Sequence, residues 1–128
     1  MAAKRGKQFP EPVEHDGYNI SYEGPIYSSL YGDGQNSETL SVRASHPEHG
    51  DVGHLYWHPR TGTIRDALVM GEHQGRGVGT QMYKMAQQTA ETVRGVPAPK
   101  HSQDRTDAGD AWARKVGGAL PRRKKEIM

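Results

Sequence analysis

The clearest candidate for chemistry is the glycine-rich run Gln74-Gly75-Arg76-Gly77-Val78-Gly79, which follows an apolar stretch and precedes a helical pattern. Glycine lets a ligand approach the backbone closely, and a helix N-terminus carries partial positive charge, so several N–H groups can converge on one anion. The spacing therefore predicts a pyrophosphate-binding loop. A plain structural turn is the alternative, because alternate glycines before a helix are a weak signal alone.

Two other phosphate-binding motifs do not fit this run. A P-loop requires Lys followed by Ser or Thr after its last glycine, whereas Gly79 is followed by Thr80-Gln81. A dinucleotide fingerprint requires a parallel strand-helix-strand unit, whereas the segments before this loop have the pattern of antiparallel strands.

Alternating apolar and polar residues predict the strands that lead to the loop. Tyr18, Ile20 and Tyr22 predict the first strand, and Gly24 to Ser37 is predicted to be mainly loop. Three further strands are expected to form an antiparallel meander, with a turn at Pro59-Arg60-Thr61-Gly62. Their predicted ranges are 40–44, 52–58 and 63–70.

Helical spacing begins at Val78 and continues to Val93, and Gly95 and Pro97 end it. Residues 97–101 are expected to be extended, at most as an edge strand, because two prolines forbid a helix. A last helix is predicted from Thr106 to Val116, closed by two glycines. The predicted class is a mixed α+β fold.

Length and composition predict one domain, since the chain has 128 residues of which 33% are hydrophobic. We expect a flexible leader over residues 1–17, a domain over 18–120 and a basic tail over 121–128. The absence of cysteine excludes disulfides and a cysteine nucleophile. The N-terminal charges have no apolar stretch behind them, so a cytoplasmic protein without a membrane partner is expected.

Basic residues and histidines raise the question of nucleic acid or a metal ion as a partner. Net charge is +2 with basic residues at both ends, but no aromatic residues are interleaved with them, so nucleic acid is not expected. Seven histidines raise the question of a metal. His54 and His58 share a strand face and His46 and His49 precede it, but without a recognisable ligand spacing a polar strand face is the better interpretation and no metal site is predicted.

Residues 68–79, read as Leu-Val-Met-Gly-Glu-His-Gln-Gly-Arg-Gly-Val-Gly, resemble motif A of the GNAT superfamily of N-acetyltransferases. That motif ends a strand in an apolar pair and continues as Gln/Arg-x-x-Gly-x-Gly/Ala into a helix, and here Gln74, Gly77 and Gly79 fill the defining positions. The resemblance extends from Leu40 to Gly118, and small stand-alone members are frequent in bacteria and their phages.

The resemblance implies an antiparallel meander, a strand-loop-helix and a C-terminal strand and helix that bind acetyl-CoA as co-substrate. Backbone groups of the loop would hold its pyrophosphate, and the main chain at the end of the preceding strand would pair with the pantetheine arm. The positions that carry these implied contacts are Val69, Met70, Gln74, Gly75, Arg76, Gly77, Val78, Gly79 and Thr80. The implied reaction transfers an acetyl group to a primary amine of a small molecule or a protein; acceptor and oligomeric state, including a homodimer, are left open.

The chain departs from the family at the second motif, where Trp112-Ala113-Arg114-Lys115 resembles Phe-Tyr-Glu-Lys. Ala113 takes the place of the tyrosine that commonly protonates the thiolate. Glu72, as a base for the amine, and Ser102, as a hydroxyl near the thiolate, are the candidate catalytic residues, against solvated and capping roles respectively. A GNAT-like binding or assembly protein without catalysis is the alternative function.

Overall fold

The computed structural model describes residues 9–27, 38–103 and 105–124. Within them, five strands form one antiparallel sheet whose spatial order follows the chain. The strands are β1 (Val13–His15), β2 (Tyr18–Tyr27), β3 (Glu38–His46), β4 (Gly50–Trp57) and β5 (Ile64–Val69). A single 3₁₀ turn (Gly71–His73) leads to α1 (Val78–Thr92), and α2 (Asp107–Val116) follows. The mixed α+β class is confirmed.

The core lies between one face of the sheet and α1. Cross-strand register aligns Tyr22, Val42 and Leu55, and all three are buried. Helix α1 contributes Met82 and Met85 from the stripe that the helical spacing predicted. Leu55 and Trp57 are fully buried, whereas Trp112 is only partly buried against the core.

The structure differs from the predicted leader and first loop. Val13–His15 lie inside the segment predicted to be a flexible leader, yet they pair with β2. Strand β2 also continues to Tyr27 through Pro25, in a segment predicted to be mainly loop. Proline is tolerated there because β1 pairs with β2 only as far as Ile20, so Pro25 has no ladder partner on that side among the described residues. Residues 28–37 of the predicted loop lie outside the described residues.

The predicted basic tail is also partly packed. The Arg123 side chain is buried, and its guanidinium donates to the Arg105 carbonyl and to Asp107 Oδ1, each at 2.9 Å. Nearby, Asp110 accepts hydrogen bonds from Arg114 and Arg105, also at 2.9 Å. The hydrogen bond from Arg114, followed by the one from Arg105, holds the pKa of Asp110 below its usual range although burial opposes the effect.

Strand β5 ends the sheet, and its outer side meets extended chain at only one point in the described structure. Thr63 and Lys100 form an isolated parallel bridge, in which Ile64 N–H donates to the Lys100 carbonyl at 2.9 Å. The described residues 97–101 form no helix, and Lys100 makes the only bridge among them. No backbone hydrogen bond joins the described residues of the two segments beyond Ile64, so the outer edge of β5 has no strand partner there. No described helix is long and apolar enough to cross a membrane.

Candidate functional site

The glycine-rich loop adopts a conformation that requires glycine. Gly75 and Gly77 have φ of +79° and +84°, a region that other residues resist, and Gly77 is the N-cap of α1. A Cβ at Gly77 would lie 2.9 Å from His15 Nε2. The same His15 nitrogen donates a hydrogen bond to the Arg76 carbonyl at 2.9 Å, so β1 fixes the loop from one side.

The start of α1 is electrostatically suited to an anion. Gly77 provides no side-chain cap, and the first turn, which the structure describes completely, contains no acidic residue. The unpaired N–H groups at a helix N-terminus and the helix dipole favour negative charge at this position. The start of α1 therefore offers N–H groups and partial positive charge to an anion.

A cavity of about 310 Å³ opens in front of this loop, between β5 and α2. Loop and helix residues Gln74, Gly75, Gly77, Val78, Gly79 and Thr80 line it together with Val69 of β5 and Trp112 and Lys115 of α2. Lys115 adds a positive charge across the cavity from the helix terminus. Of the predicted binding residues, only Met70 and Arg76 are absent from this lining.

Trp112 closes the cavity against Gly79. A Cβ at Gly79 would lie 2.5 Å from the indole Nε1 and 3.0 Å from Cδ1, although the backbone of Gly79 itself is helical. Here glycine is required by the close approach of an aromatic ring and not by backbone conformation. Ala113, the residue at the family's tyrosine position, is fully buried and does not line the cavity.

The main chain at the end of β5 already makes hydrogen bonds within the protein. Met70 N–H donates to the Val52 carbonyl at 2.8 Å, and the Met70 carbonyl accepts from His73 N–H at 2.8 Å. The Met70 N–H is therefore already used, whereas its carbonyl oxygen keeps a second lone pair. The Val69 carbonyl accepts from the exposed Gln74 side chain at 2.9 Å, a bond that a ligand can replace.

The two predicted catalytic residues lie away from the cavity. Glu72 is in the 3₁₀ turn with its side chain 76% exposed, near His73. Ser102 follows the extended segment, and its carbonyl accepts from the Arg105 side chain. Neither residue lines this cavity or the second one described next.

A second cavity of about 230 Å³ lies on the opposite, polar face of the sheet. Glu23, Arg43 and Asp51 line it and form ion pairs of 2.8 Å and 3.3 Å through the guanidinium. Leu68 lines both cavities, and Met70 lines only the second. The two cavities therefore approach each other across the outer end of β5.

One residue that lines this second cavity, His54, is held by a carboxylate outside the lining. His54 Nε2 donates to Asp66 Oδ2 at 2.7 Å, and the imidazole stacks on Tyr56 with ring centroids 4.0 Å apart. When Nε2 carries the proton, Nδ1 of the neutral ring is the basic nitrogen. Burial raises the pKa of Tyr56, and the negative charges of Glu23, Asp66 and Asp51 raise it further in that order. The cavity thus has a negative field and a base oriented by a carboxylate.

No protein-family model, curated protein or solved structure matches this chain. The geometry of the two cavities therefore carries the functional argument.

Sequence reasoning missed the second cavity because its residues are dispersed. His54 was interpreted as part of a polar strand face, and only the pairing of β4 with β5 brings it to Asp66. The available signal was the repeated polar position on neighbouring strands, at Ser41 and Arg43 and again at His54 and Tyr56. Several ionisable groups on a half-buried polar face are typical of a functional site and not only of a solvated surface.

Proposed function

We propose that the protein binds an acyl-coenzyme A in a GNAT-like manner and transfers its acetyl group to a primary amine. The observation that carries the proposal is the cavity between the glycine loop, β5 and α2. It combines an uncapped helix N-terminus, two loop glycines with positive φ and the cationic Lys115. Together these groups match a pyrophosphate, which needs several N–H donors and positive charge within a small volume.

The coenzyme arm would follow the outer edge of β5. From the loop, the cavity continues along β5 past Val69 to Leu68 and Ala67. This part of β5 lies beyond its contact with Lys100, which is made at Thr63 and Ile64. The arm would displace the Gln74 amide from the Val69 carbonyl and take its place. Its thioester end would then reach Leu68, which the second cavity shares.

The acceptor would be a cationic amine held in the second cavity. Glu23 and Asp51 outnumber the positive charge of Arg43 in this lining, and Asp66 adds negative charge behind His54, so the field there attracts an ammonium group. His54 Nδ1 would accept one amine proton directly or through water. The freed nitrogen lone pair attacks the thioester carbon, the C–N bond forms and the C–S bond breaks, and the thiolate leaves with the electron pair. The new C–N nitrogen then loses its remaining excess proton, which the thiolate takes up through water to give a neutral amide and the free thiol. Positioning of the two substrates supplies much of the rate in such a transfer.

A non-catalytic acyl-coenzyme A binding protein is the second candidate. The observation that favours it is the full burial of Ala113, since no hydroxyl from this part of α2 can protonate the thiolate. The two candidates agree on binding and differ only in turnover.

Binding is tested by calorimetry with acetyl-CoA on wild type, Gly75→Asp and Gly95→Asp. Both glycines have positive φ and open space around a new Cβ, so each substitution costs a similar amount of stability, roughly 1 kcal/mol. Only Gly75→Asp places a carboxylate at the cavity, and we expect it alone to abolish binding. Equal affinity of the two variants, or no binding by wild type at millimolar ligand, would refute the proposal.

Turnover is tested by measuring free thiol release with a panel of amines. His54→Gln is expected to lower kcat by about 10²- to 10⁴-fold while acetyl-CoA affinity stays unchanged. His58→Gln is the matched control, because the His58 ring accepts N–H groups of its own turn and does not line the cavity. Coenzyme binding without thiol release in wild type would support the non-catalytic candidate.

A further inference from the structure

Three histidine rings meet at the end of the sheet where the β3–β4 turn approaches the 3₁₀ turn. Ring centroids of His46 and His49 are 4.9 Å apart, those of His49 and His73 are also 4.9 Å apart, and those of His46 and His73 are 6.4 Å apart. The potential ligand atoms of His49, Glu72 and His73 all lie within 4.8 Å of one another. His49, Glu72 and His73 are called the end cluster below; His49 is distant in sequence from the adjacent pair Glu72 and His73.

His73 is the fixed member of the end cluster. It is buried, and its Nδ1 is 2.8 Å from the Tyr18 hydroxyl. Its Nε2 lies 3.7 Å from Glu72 Oε2. A metal on Nε2 requires the proton on Nδ1, where it would donate to the Tyr18 oxygen, and such outer hydrogen bonds orient metal-bound histidines.

His46 has the opposite arrangement and does not belong to the ligand set. Its Nδ1 accepts the Glu48 N–H at 3.1 Å, so its neutral ring carries a proton on Nε2. In this tautomer neither nitrogen presents a free lone pair to the end cluster. His46 therefore forms a wall beside His49.

We propose that His49, Glu72 and His73 bind a zinc ion or a similar divalent transition metal. Two imidazoles and one carboxylate are a ligand set typical of zinc, and imidazole disfavours calcium or magnesium. Ligands about 2.0–2.1 Å from a tetrahedral zinc lie about 3.3 Å from one another. The 3.7 Å between His73 Nε2 and Glu72 Oε2 is already close to this value.

The remaining adjustment falls on mobile groups. Separations up to 4.8 Å must shorten, and both His49 and Glu72 are exposed side chains that can move without disturbing the core. Three protein ligands leave a fourth position for water. The metal would join the β3–β4 turn to the 3₁₀ turn, independently of whether the neighbouring loop binds a coenzyme.

The test is calorimetry with zinc chloride on tag-free protein in a non-chelating buffer. We expect one zinc per chain with a micromolar or tighter Kd in wild type, and at least tenfold weaker binding in His49→Gln and in Glu72→Gln. His46→Gln and His58→Gln are expected to bind like wild type, because neither residue is a ligand. Both ligand variants change exposed side chains, so loss of folding does not confuse the result.

Cobalt provides an independent readout of geometry. Bound Co²⁺ should give the visible absorption of a four- or five-coordinate site, and this absorption should be lost in His49→Gln. Absence of zinc binding at millimolar concentration would overturn the proposal, as would unchanged affinity in both ligand variants. Equal loss in the His58→Gln control would overturn it too, since it would indicate dispersed histidine binding.

Discussion

Replacement of Gly79 by alanine tests the packing that shapes the first cavity. In a helix, glycine costs roughly 0.5–1 kcal/mol relative to alanine, so Gly79→Ala should stabilise the protein if nothing touches the new methyl group. The structure predicts the opposite sign, because that methyl would lie 2.5 Å from Trp112 Nε1. A real Cβ does not approach an atom this closely, so the indole must move.

Neighbouring rings restrict the indole on the side away from the cavity. Its ring packs edge-on against Tyr83 and His101, with centroids 5.8 Å and 5.6 Å away. Overpacking of this kind costs typically 1–3 kcal/mol, which exceeds the helical gain. We therefore expect Gly79→Ala to destabilise the protein by about 1–2 kcal/mol, or ~4–8 °C in Tm.

A double-mutant cycle with Trp112→Leu isolates the contact. Leucine removes the ring near Gly79, so Gly79→Ala in that background should become neutral or stabilising by up to roughly 1 kcal/mol. Urea unfolding of the four proteins measures the free energies, with constant m-values required for the comparison. A stabilising Gly79→Ala in the wild-type background, or a coupling below about 0.5 kcal/mol, would refute the proposed packing.

Three further outcomes are expected. Asp110→Asn should lower the stability of the protein at neutral pH and make that stability less dependent on acid. The hydrogen bond from Arg114 lowers the pKa of Asp110 in the folded protein, so this carboxylate stabilises wild type above its unfolded pKa of about 4 and the stabilisation is lost as pH falls. Acid titration followed by circular dichroism would measure the difference. Lys115→Ala should weaken acetyl-CoA binding about fivefold and reduce its salt dependence in calorimetry, and a salt dependence equal to that of wild type would contradict its place in the cavity. Arg123→Met should cost about 1.5–3 kcal/mol in urea unfolding, whereas the exposed control Arg122→Met should stay within about 0.5 kcal/mol; similar values for both would contradict the packed position of Arg123.

The meander, both helices and the loop between them could be predicted because each depends on local pattern. Alternation specified β4, and Thr106 with Gly117 marked the ends of α2, where Thr106 accepts from Gly109 N–H and Gly117 is the C-cap. Strand β1 could not be predicted in this way. It has three residues, and its pairing with β2 depends on the tight turn at Asp16 and Gly17 and not on its own periodicity.

The candidate sites also differ in whether local sequence could predict them. The loop could be proposed from sequence because its alternate glycines stand directly before a helical pattern. The pairing of His54 with Asp66, and of His49 with His73, arises from strand register and from the meeting of two turns, which no single segment encodes. In α2, Ala113 faces the core and the preceding residue, Trp112, lines the cavity. The motif resemblance alone does not say which of these two neighbouring positions faces the cavity.

The attachment of the loop to both ends of the domain has a consequence for its synthesis on the ribosome. His15 holds the Arg76 carbonyl from the N-terminal side, and Trp112 covers Gly79 from the C-terminal side. A nascent chain that has emerged only through α1 has the glycines and the helix terminus but lacks the second wall. Since long-range contacts form only after the intervening chain is available, we expect affinity for anions to arise late, when α2 has left the exit tunnel.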